Sequence, residues 1–406
     1  MCMNMIEIRR MEETDLLQFD KLHTVVYNGR RKYSKEEKHE RGPLDHPVNW
    51  AVGAFNGGKL LAGTWEIDFL MRFDGSSVKM TGIGGVGTLP EARKGGYIRQ
   101  IFEKILPESY ENGVVFSTLA PFSHDFYRKF GYEIASARNN ITISSKQFSK
   151  IKPHGEFIHF FPGDDTSDLE KIHSSYIKNI NHAIHRDYWP DKKSWKLFTS
   201  QDPYASGVYL YLWKNEQGEA KSYMKYRDNE DDGEHHMNVM ELAFVDTEGL
   251  YGILGLVSGL SAQFGNFKWQ MPDFINAWDI IGDAWGVEID LKPREMTRVV
   301  NAKTALELMR RPGGNAQFVL ETEDKNISAN SGKYLVEFSA GETKVSKTSK
   351  DADITCDILT LSQLVTGYRT LENILHTRKE GFEVKSNIEI LKRVFTIRPQ
   401  HLTEYF

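Results

Sequence analysis

The chain has 406 residues, 40% of them apolar and 12% aromatic, with a formal net charge of −5. That length exceeds one typical core, so two or three domains are expected, and the acidic balance argues against a nucleic-acid binder, which carries a basic excess. No window approaches the ~18 uninterrupted apolar residues of a membrane span, and the opening MCMNMIEIRRMEETD lacks an apolar leader core, so a cytoplasmic location is expected.

Two cysteines, Cys2 and Cys356, stand far apart and predict neither a disulfide framework nor a zinc site. Ile6 and Ile8 alternate with Glu7 and Arg9, which predicts a short strand; Thr14 can cap a helix whose Leu16, Leu17, Phe19 and Leu22 keep helical spacing. WAVGAFNGGKLLAGTWEIDFLMRF reads as two strands around the hairpin signal NGG. GGVGTLPEARKGGYIRQIFEKIL begins as a small-residue strand, passes Pro90, crosses Arg93, Lys94, Gly95 and Gly96, and settles into a helix with Ile98, Ile101, Phe102 and Ile105 on one stripe. VVFSTLA is a further strand, SHDFYRKFGY a short helix ending at Gly131, and ARNNITISSKQF a strand closing a first unit near residue 150.

From about residue 155 the order partly recurs, with DDTSDLEKIHSSYIKNI and TEGLYGILGLVSGLSAQF as helices among the strands of ASGVYLYLWKN, AKSYMKYRDN, HHMNVMELAFVD and NFKWQMP. The last third starts around MTRVVNAKTALELMRRP and passes through three strand-like runs to the helix LSQLVTGYR. Strands followed by helices, rather than strict alternation, predict an α/β fold built of α+β layers.

The stretch Arg93–Lys94–Gly95–Gly96 carries the clearest chemistry. A helix N-terminus offers unpaired backbone N–H groups and a partial positive charge, glycines let that backbone approach phosphate oxygens, and the two cations add charge at the same point. The predicted ligand is a diphosphate attached to something lying along the preceding strand. No Gly-Lys-Ser/Thr follows, so it is not a P-loop, and it is not a GxGxxG turn.

In this context the sequence resembles the GNAT superfamily of acetyl-CoA-dependent N-acetyltransferases. IEIRRMEETDLLQF resembles the family's first strand and helix, VGTLPEARKGGYIRQIF its central strand, diphosphate loop (Arg/Gln-x-x-Gly-x-Gly/Ala/Ile) and following helix, and FYRKFGYE the aromatic segment after its fifth strand. The resemblance implies acetyl-CoA as co-substrate and no metal. Backbone at Val86, Gly87 and Thr88 would meet the acetyl and pantetheine groups, and Arg93, Lys94, Gly95, Gly96, Tyr97, Ile98 and Arg99 would hold the diphosphate. Gly84, Gly85 and Gly87 suit the bulge that splays the family's fourth strand from its fifth. Family members often carry another basic residue where Gly95 stands.

Phe130 and Tyr132 read as core aromatics, whereas for Tyr127 the resemblance implies the acid that protonates the departing thiolate. Over its full length the chain resembles the Eis (enhanced intracellular survival) acetyltransferases: tandem GNAT-like mixed-sheet domains followed by a sterol-carrier-like domain. The expected division is 1–150 (catalytic), 151–292 (a degenerate second unit without a diphosphate loop) and 293–406, opened by MTRVVNAKTALE. In that family the terminal carboxylate of a final Phe serves as base, here Phe406, whose apolar ending Tyr405–Phe406 could bury a ring.

The resemblance further implies a cationic amine partner (an aminoglycoside, a polyamine or a lysine-like group) and a homo-oligomer, a hexamer built from trimers. Asp20, Trp65, Glu66 and Glu404 are candidate pocket walls, and His124 a candidate substrate-orienting residue. The acidic run RDNEDDGEHH reads as a solvated hairpin loop, and adjacent His235 and His236 lack the spacing of helical zinc ligands. Two other readings stay open: a lipid or sterol carrier with a tunnel lined by Phe318, Leu320, Tyr334, Val336 and Phe338, and a CoA-binding regulatory scaffold.

Overall fold

The structure, a computed structural model, describes residues 6–27, 46–281, 285–310, 312–339, 342–404 and 406. Cys2 and Tyr405 lie outside them. The chain forms two compact units, one comprising Met1–Ala135, Glu295–Arg398 and Tyr405–Phe406, the other Ser136–Arg294 and Pro399–Glu404. Among the described residues no helix is long and apolar enough to cross a membrane.

Along the chain the strands are β1 (Glu7–Arg10), β2 (Ala51–Asn56), β3 (Lys59–Phe73), β4 (Ser76–Thr88), β5 (Phe116–Leu119) and β6 (Glu133–Ile134). There follow β7 (Ala137–Ser144), β8 (Glu156–His159), β9 (Val208–Lys214), β10 (Ala220–Asp231), β11 (Glu234–Phe244), β12 (Asn266–Met271), β13 (Glu288–Pro293) and β14 (Met296–Val299). The last five are β15 (Ala316–Glu323), β16 (Gly332–Ser339), β17 (Glu342–Lys347), β18 (Ile354–Asp357) and β19 (Phe382–Val384).

The first unit holds a seven-stranded sheet in the order β1-β2-β3-β4-β5-β14-β6, antiparallel throughout except for β4 against β5. The NGG signal is a two-residue hairpin turn, with Gly57 and Gly58 at φ 56° and 81° between the paired Asn56 and Lys59. Helix α1 (Leu16–Val26) buries Leu16, Phe19 and Leu22. Thr14 does not cap it. A short turn precedes the helix, closed by Asp15, which accepts the Glu12 N–H at 2.8 Å and pairs with Arg9 at 2.6 Å. Helix α2 (Tyr97–Glu111) lays Ile98, Ile101, Phe102 and Ile105 against Val52, Ala54, Ala62 and Leu119 of the sheet. Also in this unit is a five-stranded sheet in the order β17-β16-β15-β18-β19, carrying the helices Ile358–Thr366 and Ile388–Val394.

The second unit holds a sheet in the order β13-β7-β12-β11-β10-β9-β8. Starting from β8, its steps are three antiparallel, one parallel and two antiparallel, the same series as the first sheet starting from β1. The recurrence expected from sequence is thus present in topology. Two strands differ from expectation. ARNNITIS does not close the first sheet: β7 pairs with β12 and β13 in the second. MTRV does not open the last domain's sheet: β14 lies between β5 and β6 in the first. Alternation reports which residues of a strand are buried, and partner choice is a non-local property it does not encode. The acidic run forms the tip of the β10–β11 hairpin, turning at Asp232 and Gly233.

Candidate active site

The site begins where β4 leaves β5. Their parallel pairing covers Met80–Ile83 against Phe116–Leu119 and stops there, while β4 continues to Thr88 along β3. Between Trp65↔Gly84 and Gly63↔Gly87 the register shifts, so Gly85 and Val86 oppose Thr64 alone. Gly85 takes φ 59°, a left-handed conformation that glycine adopts without strain. Gly84 and Gly87 do not share that conformation and serve close approach instead. A Cβ on Gly87 would lie 2.5 Å from Leu22, and one on Gly84 3.2 Å from the Phe406 carboxyl carbon.

Three side chains hold the bulge carbonyls. Thr64 Oγ1 donates to Gly84 O at 2.9 Å, His23 Nε2 to Gly85 O at 2.8 Å, and Tyr27 Oη to Val86 O at 3.0 Å. A carbonyl only accepts, so the imidazole carries its proton on Nε2; burial holds the His23 pKa below its ordinary value.

The cationic turn lies at the end of β4. Lys94 and Gly96 take φ 68° and 75°, and α2 starts at Tyr97 with no side chain capping its first turn. The first intrahelical bond is Gln100 N–H to Gly96 O at 3.1 Å, so the amides of Tyr97, Ile98 and Arg99 have no helical acceptor. With Gly95 the Tyr97 ring can lie close over the turn, at a point where a Cβ would stand 2.3 Å from it. Arg93 and Lys94 are exposed and form no ion pair among the described residues, whereas Arg99 leans toward Glu103 at 3.6 Å. In the second unit the corresponding helix, Thr247–Gly259, is closed by its own Asp246 carboxylate, which accepts Gly249 N–H at 2.9 Å. That negative charge occupies the place an anion would need.

Helix α3 (His124–Arg128) begins at the cap Ser123 and presents Tyr127. The Tyr127 ring packs among Phe126 (5.1 Å between centroids), Phe122 (5.4 Å) and Phe102 (6.2 Å). Its hydroxyl makes no hydrogen bond among the described residues, and burial pushes its pKa well above the usual phenol range. Phe406 lines the same cleft. Its ring lies 5.0 Å from that of Phe69 and over Gly82, where a Cβ would come within 2.7 Å of ring carbons of both phenylalanines.

These pieces line one cavity of 1090 Å³, at the upper end of the ~300–1,000 Å³ of ligand clefts. The residues expected to hold the co-substrate and to move protons are all in its lining: Val86 to Thr88, Arg93 to Arg99, Tyr127 and Phe406. A long, partly anionic co-substrate fits this lining, with an open strand edge for an extended arm and an uncapped helix terminus for the anion. Sequence reasoning missed Val26, Tyr27, Phe122 and Phe126, which also line it, and His23 behind the bulge. Phe19, His23 and Tyr27 recur at four-residue steps, so the helical stripe could have reached them.

The expected pocket walls lie elsewhere. Trp65 packs on Phe19 at 5.2 Å, and Glu66 is buried against Arg10 (2.5 Å) and Ser109 (2.8 Å). Glu404 is bound by Arg186 at 2.5 Å within the second unit. None of these, nor Asp20 or His124, lines the cavity, whose one carboxylate among the described residues is the terminus of Phe406. His235 and His236 are taken up by Asp228 (2.8 Å) and Asn266 (3.3 Å). The proposed lipid tunnel is packed: Phe318, Leu320, Tyr334, Val336 and Phe338 are all buried, with Phe318 against both Phe338 and Phe395.

A parted strand pair leading to an uncapped, glycine-lined helix terminus is the arrangement of a GNAT acetyltransferase domain, a class that implies acetyl-CoA as co-substrate. The family model for acetyltransferase (GNAT) domains matches residues 7–135, and that for sterol carrier protein domains residues 302–403. The chain thus carries a GNAT acetyltransferase domain and a C-terminal sterol carrier domain. No curated protein matches it in sequence. Among solved structures it is similar to a probable N-acyltransferase from Enterococcus faecalis (21% identity, 98% of each chain covered, TM-score 0.82). It is also similar to a GCN5-related N-acetyltransferase from Anabaena variabilis (16%, 99% and 100%, 0.86) and to Eis1 from Mycobacterium abscessus (17%, 98% and 100%, 0.80).

If Arg93 and Lys94 grip the diphosphate, changing both to Ala raises the dissociation constant for acetyl-CoA about tenfold, equivalent to ~1.4 kcal/mol. The effect shrinks as salt rises and kcat is little altered. Titration at two ionic strengths checks this; unchanged affinity at low salt would remove both side chains from the site.

Proposed function

We propose that the protein transfers an acetyl group from acetyl-CoA to a primary amine of a cationic small molecule by direct attack. The observation that carries this reading is the presence of the Tyr127 hydroxyl, the Phe406 carboxylate and the cationic turn in one cavity. The Phe406 carboxylate takes a proton from the attacking amine as its nitrogen bonds to the thioester carbon. Backbone groups at Val86 and Thr88 hold the acetyl end and the arm behind it. Tyr127 gives its proton to the sulfur as the carbon–sulfur bond breaks, yielding an amide and free CoA; exchange with water restores both groups.

The cationic class of the acceptor is favoured by the terminal carboxylate and by the aromatic rings of Tyr27, Phe122 and Phe126 along the same cavity, which suit an ammonium-bearing guest. Free-thiol release from acetyl-CoA, measured across aminoglycosides, polyamines and lysine derivatives, tests the reading. Amine-dependent release is expected; release that no amine stimulates would overturn it.

A further inference from the structure

Tyr127 stands on a five-residue helix, a support too short to fix a side chain by its own hydrogen bonds. The turn that follows is fastened from behind. Phe130 N–H and Tyr132 N–H both donate to Tyr127 O, at 2.9 and 3.3 Å, and Gly131 takes φ 82° between them. The carbonyl of Phe130 points to Arg298 on β14, whose Nη1 donates to it at 2.6 Å. A Cβ on Gly131 would stand 2.9 Å from that same nitrogen.

The Arg298 side chain is wholly buried. Its Nε donates to Val299 O at 3.2 Å and its Nη2 to Asp324 Oδ2 at 2.5 Å. Asp324 is saturated in turn. Asn330 donates to Oδ2 at 2.9 Å, and the amides of Asn326 and Ile327 donate to Oδ1 at 3.0 and 3.1 Å. Asn330 also donates to Val300 O at 2.9 Å, on the segment leaving β14. Asp324 falls within the residues that match the sterol carrier model.

A buried ion pair of this kind adds little net stability compared with apolar side chains of the same volume. What a fully satisfied network does supply is a single geometry.

We propose that Asp324, acting through Arg298, is a positioning residue for Tyr127, so that the sterol carrier domain braces the acid of the acetyltransferase domain. The proposal rests on Tyr127 being that acid. Losing the brace displaces the phenol from the sulfur it serves, and a misplacement near 1 Å can cost about 10²-fold in rate.

A double-mutant cycle tests it. Asp324→Asn is expected to lower kcat roughly tenfold or more, with KM for acetyl-CoA little changed. In a Tyr127→Phe background the same substitution should leave kcat where it was. Equal losses in both backgrounds, or no loss in either, would overturn the brace. Should Asp324→Asn fail to give a CoA-binding protein, Gly131→Ala attacks the same hydrogen bond from the turn and must show the same dependence on Tyr127. Tyr127→Phe alone separates the two readings: an unchanged kcat there removes Tyr127 as the acid, whereas a normal defect with additive losses removes only the brace.

Discussion

Tyr127→Phe is expected to lower kcat by about 10²- to 10⁴-fold, the range for losing a positioned general acid, while acetyl-CoA binding stays intact. Nothing but one oxygen is removed: the ring stays between Phe126 and Phe122, and no described partner loses a hydrogen bond. The direction of the pKa shift is compatible with that role. Burial raises the pKa of Tyr127, so the phenol remains protonated at neutral pH and donates rather than accepts. Its deprotonation therefore contributes no alkaline loss of activity near pH 7 to 9. Thiol release and a CoA titration on the same preparation check both halves. Full turnover in the variant would end the case for Tyr127.

Deleting Phe406 is expected to cost at least as much, about 10²-fold or more, because base and seat disappear together. The seat is specific. Gly82 and Gly84 leave the face of β4 bare, and the terminal ring fills it against Phe69. Gly82→Ala, which leaves the carboxylate in the sequence, should therefore mimic the deletion in kcat while sparing the cationic turn and acetyl-CoA affinity. A C-terminal tag displaces the carboxylate along the chain and should do the same. A tagged or truncated protein of full activity would exclude the terminus from catalysis.

The residues legible in the sequence were those whose function is local. Arg93, Lys94, Gly95 and Gly96 read as an anion site because charge, glycine and helix start are adjacent in the chain, and the structure leaves that helix start uncapped. The hairpin at NGG and the stripe of α2 were legible for the same reason. Tyr127 and Phe406 could be named only through resemblance, since no pattern places a chain end beside residue 84. The pocket-wall candidates failed on a physical point: a carboxylate such as Glu66 is read from sequence as free charge, yet Arg10 and Ser109 had already claimed it. His23 and Tyr27 were missed because their task, bonding the carbonyls of a bulge, exists only once β4 and α1 have met. The partners of β7 and β14 were hidden because each strand's pattern suits either sheet.

Those two strands make the halves of the protein topologically interdependent. The segment leaving β6 completes the sheet of the second unit, and the segment leaving β13 completes the sheet that carries Tyr127. A fragment ending near residue 150 would thus strand β7 without its neighbours and leave β5 with a raw edge where Met296–Val299 should dock, inviting aggregation. Engineers who wish to transplant the catalytic half must carry residues 296–299 with it, together with the arginine among them.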